Sequence, residues 1–321
     1  MLRVEALRVV LGGREVLHGV TLEAPAGQLT VVVGPSGSGK TTLLRAVAGL
    51  VEYEGRVVIG GVVVDAMPPW ERGVAMVQQV PGLLPHMSIL ANVALAAELR
   101  RGLSRGEAVE QARRLLEEVG LRGLEDRRPG ELSGGQLQRA AIAAALATGA
   151  ELLLLDEPLS HLDRLTAERL RGLLASLPAR GATVLHVTHD LDEALALADR
   201  MVVLHGGRVE AQGDAEAVYR CPGSRRAAEL LGHGIVEGAA LGEAGGLYSA
   251  APDYVILHPS PGSPWVVTAA VRERGRLRLT ARHTGGLGVL HSFHPATGGP
   301  PARPGERVEP ELVAEPCRLE G

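Results

Sequence analysis

The sequence predicts an α/β protein built on a mainly parallel sheet, with an antiparallel β region ahead of that sheet and a smaller β-rich domain after it. Three observations predict this. Strand-length apolar runs at 29–33, 73–77, 151–155, 182–187 and 201–204 alternate with stretches of helical periodicity, as they do where crossover helices cover both faces of a parallel sheet. The first run ends in a glycine-rich turn, GPSGSGKT, that opens a helix. Near Cys221, Pro222 and Gly223 the composition shifts to Gly, Pro and Val with short apolar runs, the pattern of a small β domain.

The elements follow in order. Alternating apolar and polar residues over 2–24 suit two antiparallel strands joined by a polar turn at Gly12 and Gly13. The unbroken run 29–33 suits a strand buried on both faces. Residues 88–120 carry Ala, Leu, Glu and Arg at helical spacing, with a new helix from about Ser104, and a further helix runs from Ser133 to Leu146. Together they suggest a helical subdomain at about 84–147. A boundary at 231/232 then separates a first domain, 1–231, from the β-rich domain, 232–321.

At 321 residues the chain is long enough for two domains, and 45% hydrophobic content supplies their cores. A formal net charge of −4 offers no general positive field for a nucleic-acid backbone, so no nucleic-acid partner is expected. No apolar run reaches the roughly 18–20 residues of a membrane helix, and the charged start MLRVEALRVV lacks a signal-peptide core. A soluble chain is expected. Two cysteines, Cys221 and Cys317, make no disulfide framework and point to a reducing compartment. Lysine and arginine total 33, yet Lys40 is the one lysine. Coding background or a hot habitat accounts for such a bias, and it makes the retained ammonium conspicuous.

Lys40 belongs to the run Gly34, Pro35, Ser36, Gly37, Ser38, Gly39, Lys40, Thr41, with Thr42 following. The run satisfies G-x-x-x-x-G-K-[ST] between a strand and a helix. Glycines let backbone N–H groups turn inward around a polyphosphate, and the helix adds its positive end. Lys40 then supplies a point charge and Thr41 a hydroxyl for Mg2+. A glycine-rich turn with no ligand is the plainer alternative, but chance seldom puts the only lysine of a chain at this position.

Asp156 and Glu157 close the run LLLL. The first can hold Mg2+ or its water, and the second can polarise an attacking water. Gln79 follows the strand ending at Val77, and His189 the strand ending at Val187. Each alone reads as a surface or capping residue. Lys40, Gln79, Asp156 and His189 nevertheless all follow C-terminal ends of expected parallel strands, where open α/β sheets place their ligands. A second anion-binding device stands at Ser133, Gly134, Gly135 and Gln136: Ser133 can cap the helix and the glycines expose N–H groups at its positive end. Its plainer reading is a good helix start.

In order, the P-loop at 34–41, Gln79 in MVQQ, LSGGQ at 132–136, LLLLDEP at 152–158, SHLD at 160–163 and THD at 188–190 resemble the nucleotide-binding subunit of ATP-binding cassette (ABC) transporters, over about residues 1–231. The resemblance implies an ATPase using ATP and Mg2+, with Glu157, Lys40 and the switch residue His189 as its catalytic set. Gln79 becomes the phosphate sensor and joins Thr41 and Asp156 as a metal ligand, and Asp163 becomes the D-loop aspartate. It further implies a head-to-tail homodimer in which the 133–136 turn of each copy covers the nucleotide held by the Lys40 of the other. Permease subunits docking near 79–92, an extracytoplasmic solute-binding protein acting indirectly, and a peripheral position on the cytoplasmic face of the membrane complete the implied setting. The family's adenine-stacking aromatic falls at Leu11, near Arg14, so weak discrimination between ATP and GTP is expected.

One cassette with a β-rich tail resembles importer subunits, whose tails are often small oligonucleotide-binding-like barrels. Arg272, Arg274, Arg276 and Arg278 are expected on one face of one strand, as a solvated barrel face or an oxyanion-sensing surface. They favour molybdate or tungstate as the solute over sugar, polyamine or iron. His291 and His294 lack metal partners in the sequence and are expected in a loop. A soluble cassette protein acting on ribosomes or DNA and an exporter cassette are the alternatives, opposed respectively by the single cassette and by the tail.

Overall fold

The structure, a computed structural model, describes residues 1–160, 162–241, 243, 245–273, 276–295 and 302–319. It divides into two compact units, Met1–Val209 and Glu210–Gly321. The first begins with β1 (Leu2–Leu11), β2 (Arg14–Ala24), β3 (Leu29–Val33), α1 (Lys40–Val47), β4 (Glu54–Ile59), β5 (Val62–Val63) and β6 (Val74–Val77). Three helices follow, α2 (Ile89–Arg101), α3 (Arg105–Glu118) and α4 (Gly134–Ala147). The unit continues with β7 (Leu152–Asp156), α5 (Arg164–Ser176), β8 (Thr183–Thr188), α6 (Leu191–Leu197) and β9 (Arg200–His205), and β10 (Arg208–Asp214) carries the chain into the second.

Alternation along β1 and β2, reset by irregularities in their pairing such as the one between Val4 and Leu7, puts Leu2, Val4, Leu7, Leu17, Val20 and Leu22 into one core with Leu43, Leu44 and Val47 of α1. The antiparallel sheet has the order β2-β1-β4-β5. The other sheet runs β10-β9-β3-β8-β7-β6, and β3, β6, β7, β8 and β9 within it pair in parallel. Every residue of β3, β7 and β8 is buried, which is why these strands read as continuous apolar runs rather than alternating ones. Parallel pairing gathers their C-terminal ends at one edge, and that edge carries residues 34, 79, 156 and 189. Beside it α2, α3 and α4 pack on one another, each started by a serine (Ser88, Ser104, Ser133) that accepts from the backbone N–H three residues on. No helix among the described residues is long and apolar enough to cross a membrane.

The second unit contains α7 (Ala215–Arg220), α8 (Arg225–Leu230), β11 (Gly234–Glu237), β12 (Leu247–Ala250), β13 (Val255–Pro259), β14 (Trp265–Glu273), β15 (Arg276–His283), β16 (Gly288–Pro295), β17 (Arg307–Leu312) and β18 (Cys317–Arg318). Its strands form an antiparallel sheet of order β13-β17-β14-β15-β16-β11-β12-β18, closed over Leu257, Trp265, Leu279, Leu290 and Val308.

Four expectations change here. The units part at 209/210 rather than 231/232, because α7 and α8 belong to the tail: Tyr219 donates to Asp253 at 2.6 Å and Ala228 packs with Cys317 and Leu319. The arginines do not share one strand, since Arg272 on β14 stands opposite Leu277 on β15. Period-2 alternation is the same for one long strand as for the two arms of a hairpin. Arg274 and the side chain of Arg272 lie outside the described residues; Arg276 bonds Asp253 at 2.7 Å and stacks on Phe293. His291 and His294 lie on β16 rather than in a loop, where buried Ser292 satisfies its hydroxyl on Val255 O at 2.5 Å. Cys221 and Cys317, 96 residues apart, form a disulfide, so the cysteines by themselves no longer argue for a reducing compartment.

Candidate functional site

The turn after β3 is shaped by glycines that admit no side chain. A Cβ on Gly34 would sit 2.1 Å from Leu204 O, and one on Gly39 would sit 2.7 Å from Leu17 Cδ2. Gly37 and Gly39 take φ of 79° and 103°, left-handed values that fold a run of N–H groups into an anion-binding nest. The N-terminus of α1 has no side-chain cap, so its first N–H groups face the turn as an open anion site.

Lys40 is buried in this turn and its Nζ donates to Gly34 O at 2.7 Å and Pro35 O at 3.0 Å. Burial pulls its pKa below the usual lysine value, opposed by the charges of Glu157 and Asp156. Thr41 Oγ1 donates to Asp156 Oδ1 at 3.0 Å. Burial pushes the Asp156 carboxyl up, the Thr41 hydrogen bond works against that, and neighbouring Glu157 adds to it. A hydroxyl and a carboxylate at this distance, with Gln79 lining the cavity that Thr41 also lines, are hard oxygen donors of the kind Mg2+ takes.

Glu157 is one of two non-glycine residues among those described with positive φ, at 47°. The surrounding bonds hold that costly conformation: its N–H donates to Val187 O at 3.1 Å, and Ser160 donates twice to its carbonyl, from N at 3.2 Å and Oγ at 2.7 Å. The twist turns the side chain toward His189, whose Nδ1 lies 3.0 Å from Glu157 Oε1. Ser36, Gly37, Gly39, Lys40, Thr41, Thr42, Gln79, Glu157 and His189 line one cavity of about 330 Å³, together with Val16.

Sites expected from the sequence divide accordingly. The P-loop, Gln79, Asp156, Glu157 and His189 come together. Ser133 and Gln136 close a capping box at the start of α4, but residues 133–136 do not line this cavity. Asp163 caps α5 by accepting from Thr166 N at 3.0 Å, and the Thr166 hydroxyl first, with that backbone bond second, holds its pKa low; within SHLD, residue 161 lies outside the described residues. Leu11 lies at the end of β1 and does not line the cavity, whereas Val16 of β2 does.

Three residues that sequence reasoning passed over support the site. Arg72 is buried and donates to Ala46 O and Val47 O, both at 3.2 Å, adding a cationic donor to the carbonyl end of α1. Arg139 donates to Gly135 O at 3.3 Å and to Val119 O and Gly120 O at 3.1 and 2.9 Å, tying the first turn of α4 to the end of α3. Glu193 of α6 is buried against β8. For the two arginines the only sequence signal is an arginine beside an apolar strand or helix start.

Residues 17–160 match the ABC transporter family. The Fe(3+) ions import ATP-binding protein of Streptomyces avermitilis is 46% identical over 250 residues, covering 76% of this chain and 71% of its own length. The spermidine/putrescine import ATP-binding protein of Pseudomonas aeruginosa is 43% identical over 239 residues, covering 71% and 64%. The chain spans about two thirds of the length of such relatives. Among solved structures, the dimeric post-hydrolysis state of the ATP-binding cassette MJ0796 bound to ADP and Pi superposes with a TM-score of 0.62 at 31% identity, over 67% of this chain and 99% of that one. With the P-loop, the strand-end carboxylates and the serine-capped helix all carried on this fold, the chain belongs to the ABC transporter family, as an ATP-binding ATPase subunit.

Proposed function

We propose that the chain hydrolyses MgATP in a two-fold dimer and that the cycle drives solute import through separate permease subunits. The observation that carries this is the meeting of Lys40, Thr41, Glu157 and His189 around one cavity, with Asp156 held behind Thr41 by its hydroxyl. Lys40 and the nest of 34–41 hold the β- and γ-phosphates; Glu157 takes the proton of the attacking water and His189 orients that carboxylate and meets the γ-phosphate. Thr41, Asp156 and Gln79 would hold Mg2+, which when bound would neutralise charge developing on the phosphate oxygens.

The 133–136 turn is a phosphate cradle without a phosphate site of its own within the chain, and a second copy supplies one. An isologous contact makes two such sites at once. Each charge-assisted hydrogen bond from Ser133 or the helix N–H groups contributes roughly 1.5–3 kcal/mol. Moving a closed-to-open equilibrium from 1:99 to 99:1 takes about 5.5 kcal/mol, so the γ-phosphate can hold the dimer and its loss can release it.

Permease docking is assigned to 79–92. Val80 and Leu84 are exposed there at 79% and 40% while Ile89 is buried, and Asn92 pins the turn by accepting from Leu84 N at 2.7 Å and donating to Leu84 O at 3.1 Å. Leu84→Glu is expected to spare nucleotide binding and uncouple turnover from transport. Relatives named for Fe(3+), sn-glycerol-3-phosphate, spermidine/putrescine and 2-aminoethylphosphonate import match within 43–46% identity, so solute choice is assigned to the partner proteins. No named relative favours molybdate or tungstate, and the hairpin removes the arginine strand that argued for them. The deciding experiment is Lys40→Ala in an ATPase assay: turnover is expected to vanish, and turnover at the wild-type rate refutes the proposal.

A further inference from the structure

A buried polar chain runs beneath the loop that presents His189. His186 Nε2 on β8 lies 2.9 Å from Glu193 Oε1 on α6, with side-chain exposures of 0% and 8%. The other carboxylate oxygen of Glu193 accepts from Thr188 Oγ1 at 2.8 Å. Thr188 Oγ1 in turn accepts from Asp190 N at 3.0 Å. Asp190 Oδ1 accepts from the N–H groups of Asp192 and Glu193 at 3.0 and 3.3 Å, closing the chain back onto α6. Its two bonded members in the loop, Thr188 and Asp190, are the immediate neighbours of His189.

Stability alone does not explain this arrangement. Taking a carboxylate out of water is costly, and well-packed apolar residues of the same volume often serve as well or better. What the polar chain adds is direction. A hydroxyl that donates to Glu193 and accepts from Asp190 N fixes the backbone on both sides of position 189. The alternation of β8 sends His186 and Thr188 to the same face, toward α6, while Val187 O receives Glu157 N. One strand end thus sets both partners of the Glu157–His189 contact. The imidazole of His189 is 56% exposed, so packing around its own ring does little to hold it.

We infer that Glu193 is a positioning residue for His189: through Thr188 it fixes the 188–190 backbone so that the imidazole meets Glu157 and a bound γ-phosphate. This rests on the reading of His189 as part of the hydrolytic site.

Five variants of the full chain test it by single-turnover and steady-state hydrolysis, with Tm measured alongside: Glu193→Leu, Glu193→Gln, Thr188→Val, His189→Ala and the double Glu193→Leu with His189→Ala. Glu193→Leu is expected to lower kcat by about ten-fold or more, the scale of a sub-ångström to ångström misplacement, with KM for ATP little changed. Thr188→Val lowers it in the same direction, and Glu193→Gln, which keeps an acceptor for Thr188, recovers most of the rate. The double variant falls no further than His189→Ala alone, because groups acting as a unit are non-additive. Wild-type kcat in Glu193→Leu, or multiplicative losses in the double variant, overturns the inference. Should Glu193→Leu fail to fold, Thr188→Val alone and with His189→Ala decides by the same two criteria. Wild-type turnover in His189→Ala refutes the underlying role of His189 itself, an outcome distinct from failure of the positioning role.

Discussion

Thr41 and Asp156 stand 115 residues apart in the chain, and their hydroxyl and carboxylate meet at 3.0 Å. The first residue lies in the first turn of the helix after β3 and the second closes β7; β8 lies between those strands and pairs in parallel with both. Parallel registry therefore builds the donor pair, and neither residue reaches it through local structure. The buried aspartate depends on this hydroxyl, because burial alone pushes its carboxyl toward the neutral form.

Asp156→Asn keeps the shape and removes the charge. Nucleotide affinity without Mg2+ is expected to hold, while the Mg2+ concentration needed for half-maximal hydrolysis rises by at least about ten-fold. A magnesium titration of turnover checks this, and an unchanged midpoint argues against Asp156 as a metal ligand.

Val16 lines the cavity, and no tryptophan, tyrosine or phenylalanine does so among the described residues. Stacking on an aromatic ring contributes roughly 1–3 kcal/mol per base, and an aliphatic contact treats adenine and guanine alike. ATP and GTP affinities are expected to agree within about ten-fold, the equivalent of 1.4 kcal/mol. Competition against a fluorescent nucleotide measures the ratio, and a strong preference for ATP contradicts the assignment.

In the second unit burial pulls the pKa of His233 down to about 4, against a smaller opposing bond to the Tyr219 backbone. The unfolded chain takes that proton near 6.5, so between about pH 6.5 and 4 the unfolded state binds more protons than the folded one. Stability from this group is complete above pH 6.5 and declines as the pH falls toward 4. His291, pulled down to about 4 by burial and by Arg278, acts in the same direction. Urea midpoints measured from pH 7 to 4.5 should fall with acid, and His233→Asn should flatten the slope by about one proton. An unaltered slope in that variant removes His233 as a source.

The Cys221–Cys317 bond closes a loop spanning 96 residues of separation. Loops of that size stabilise by a few kcal/mol, typically about 2–4. Reductant or Cys317→Ser should lower the unfolding free energy of the second unit by that amount. Two free thiols titrating in the unreduced folded protein contradict the bond.

Local patterns carried much of this molecule into view. Glycines at 34, 37 and 39 with Lys40, and carboxylates closing an apolar run, are legible because one short segment holds both the conformation and the chemistry. Residues brought in from other strands are not. Val16 reaches the cavity through the course of β2, beside Gly207, whose Cβ would strike Val16 O at 2.1 Å. Glu193 reads as a solvated helix residue until His186 and Thr188 are placed opposite it. Ser292 disguises β16 as a loop, since a buried hydroxyl satisfied by Val255 O leaves no apolar mark at its position. The hairpin after β14 copies the alternation of one strand, and no spacing rule pairs two cysteines across a whole domain.

The central claim is a nucleotide held between two copies, each lending its 133–136 turn to the Lys40 site of the other. Glu157→Gln tests it most directly, since removing the carboxylate stops hydrolysis while leaving the cradle intact. At saturating MgATP this variant should sediment as a dimer and return to monomer on exchange into ADP. A strictly monomeric variant with MgATP bound contradicts the claim.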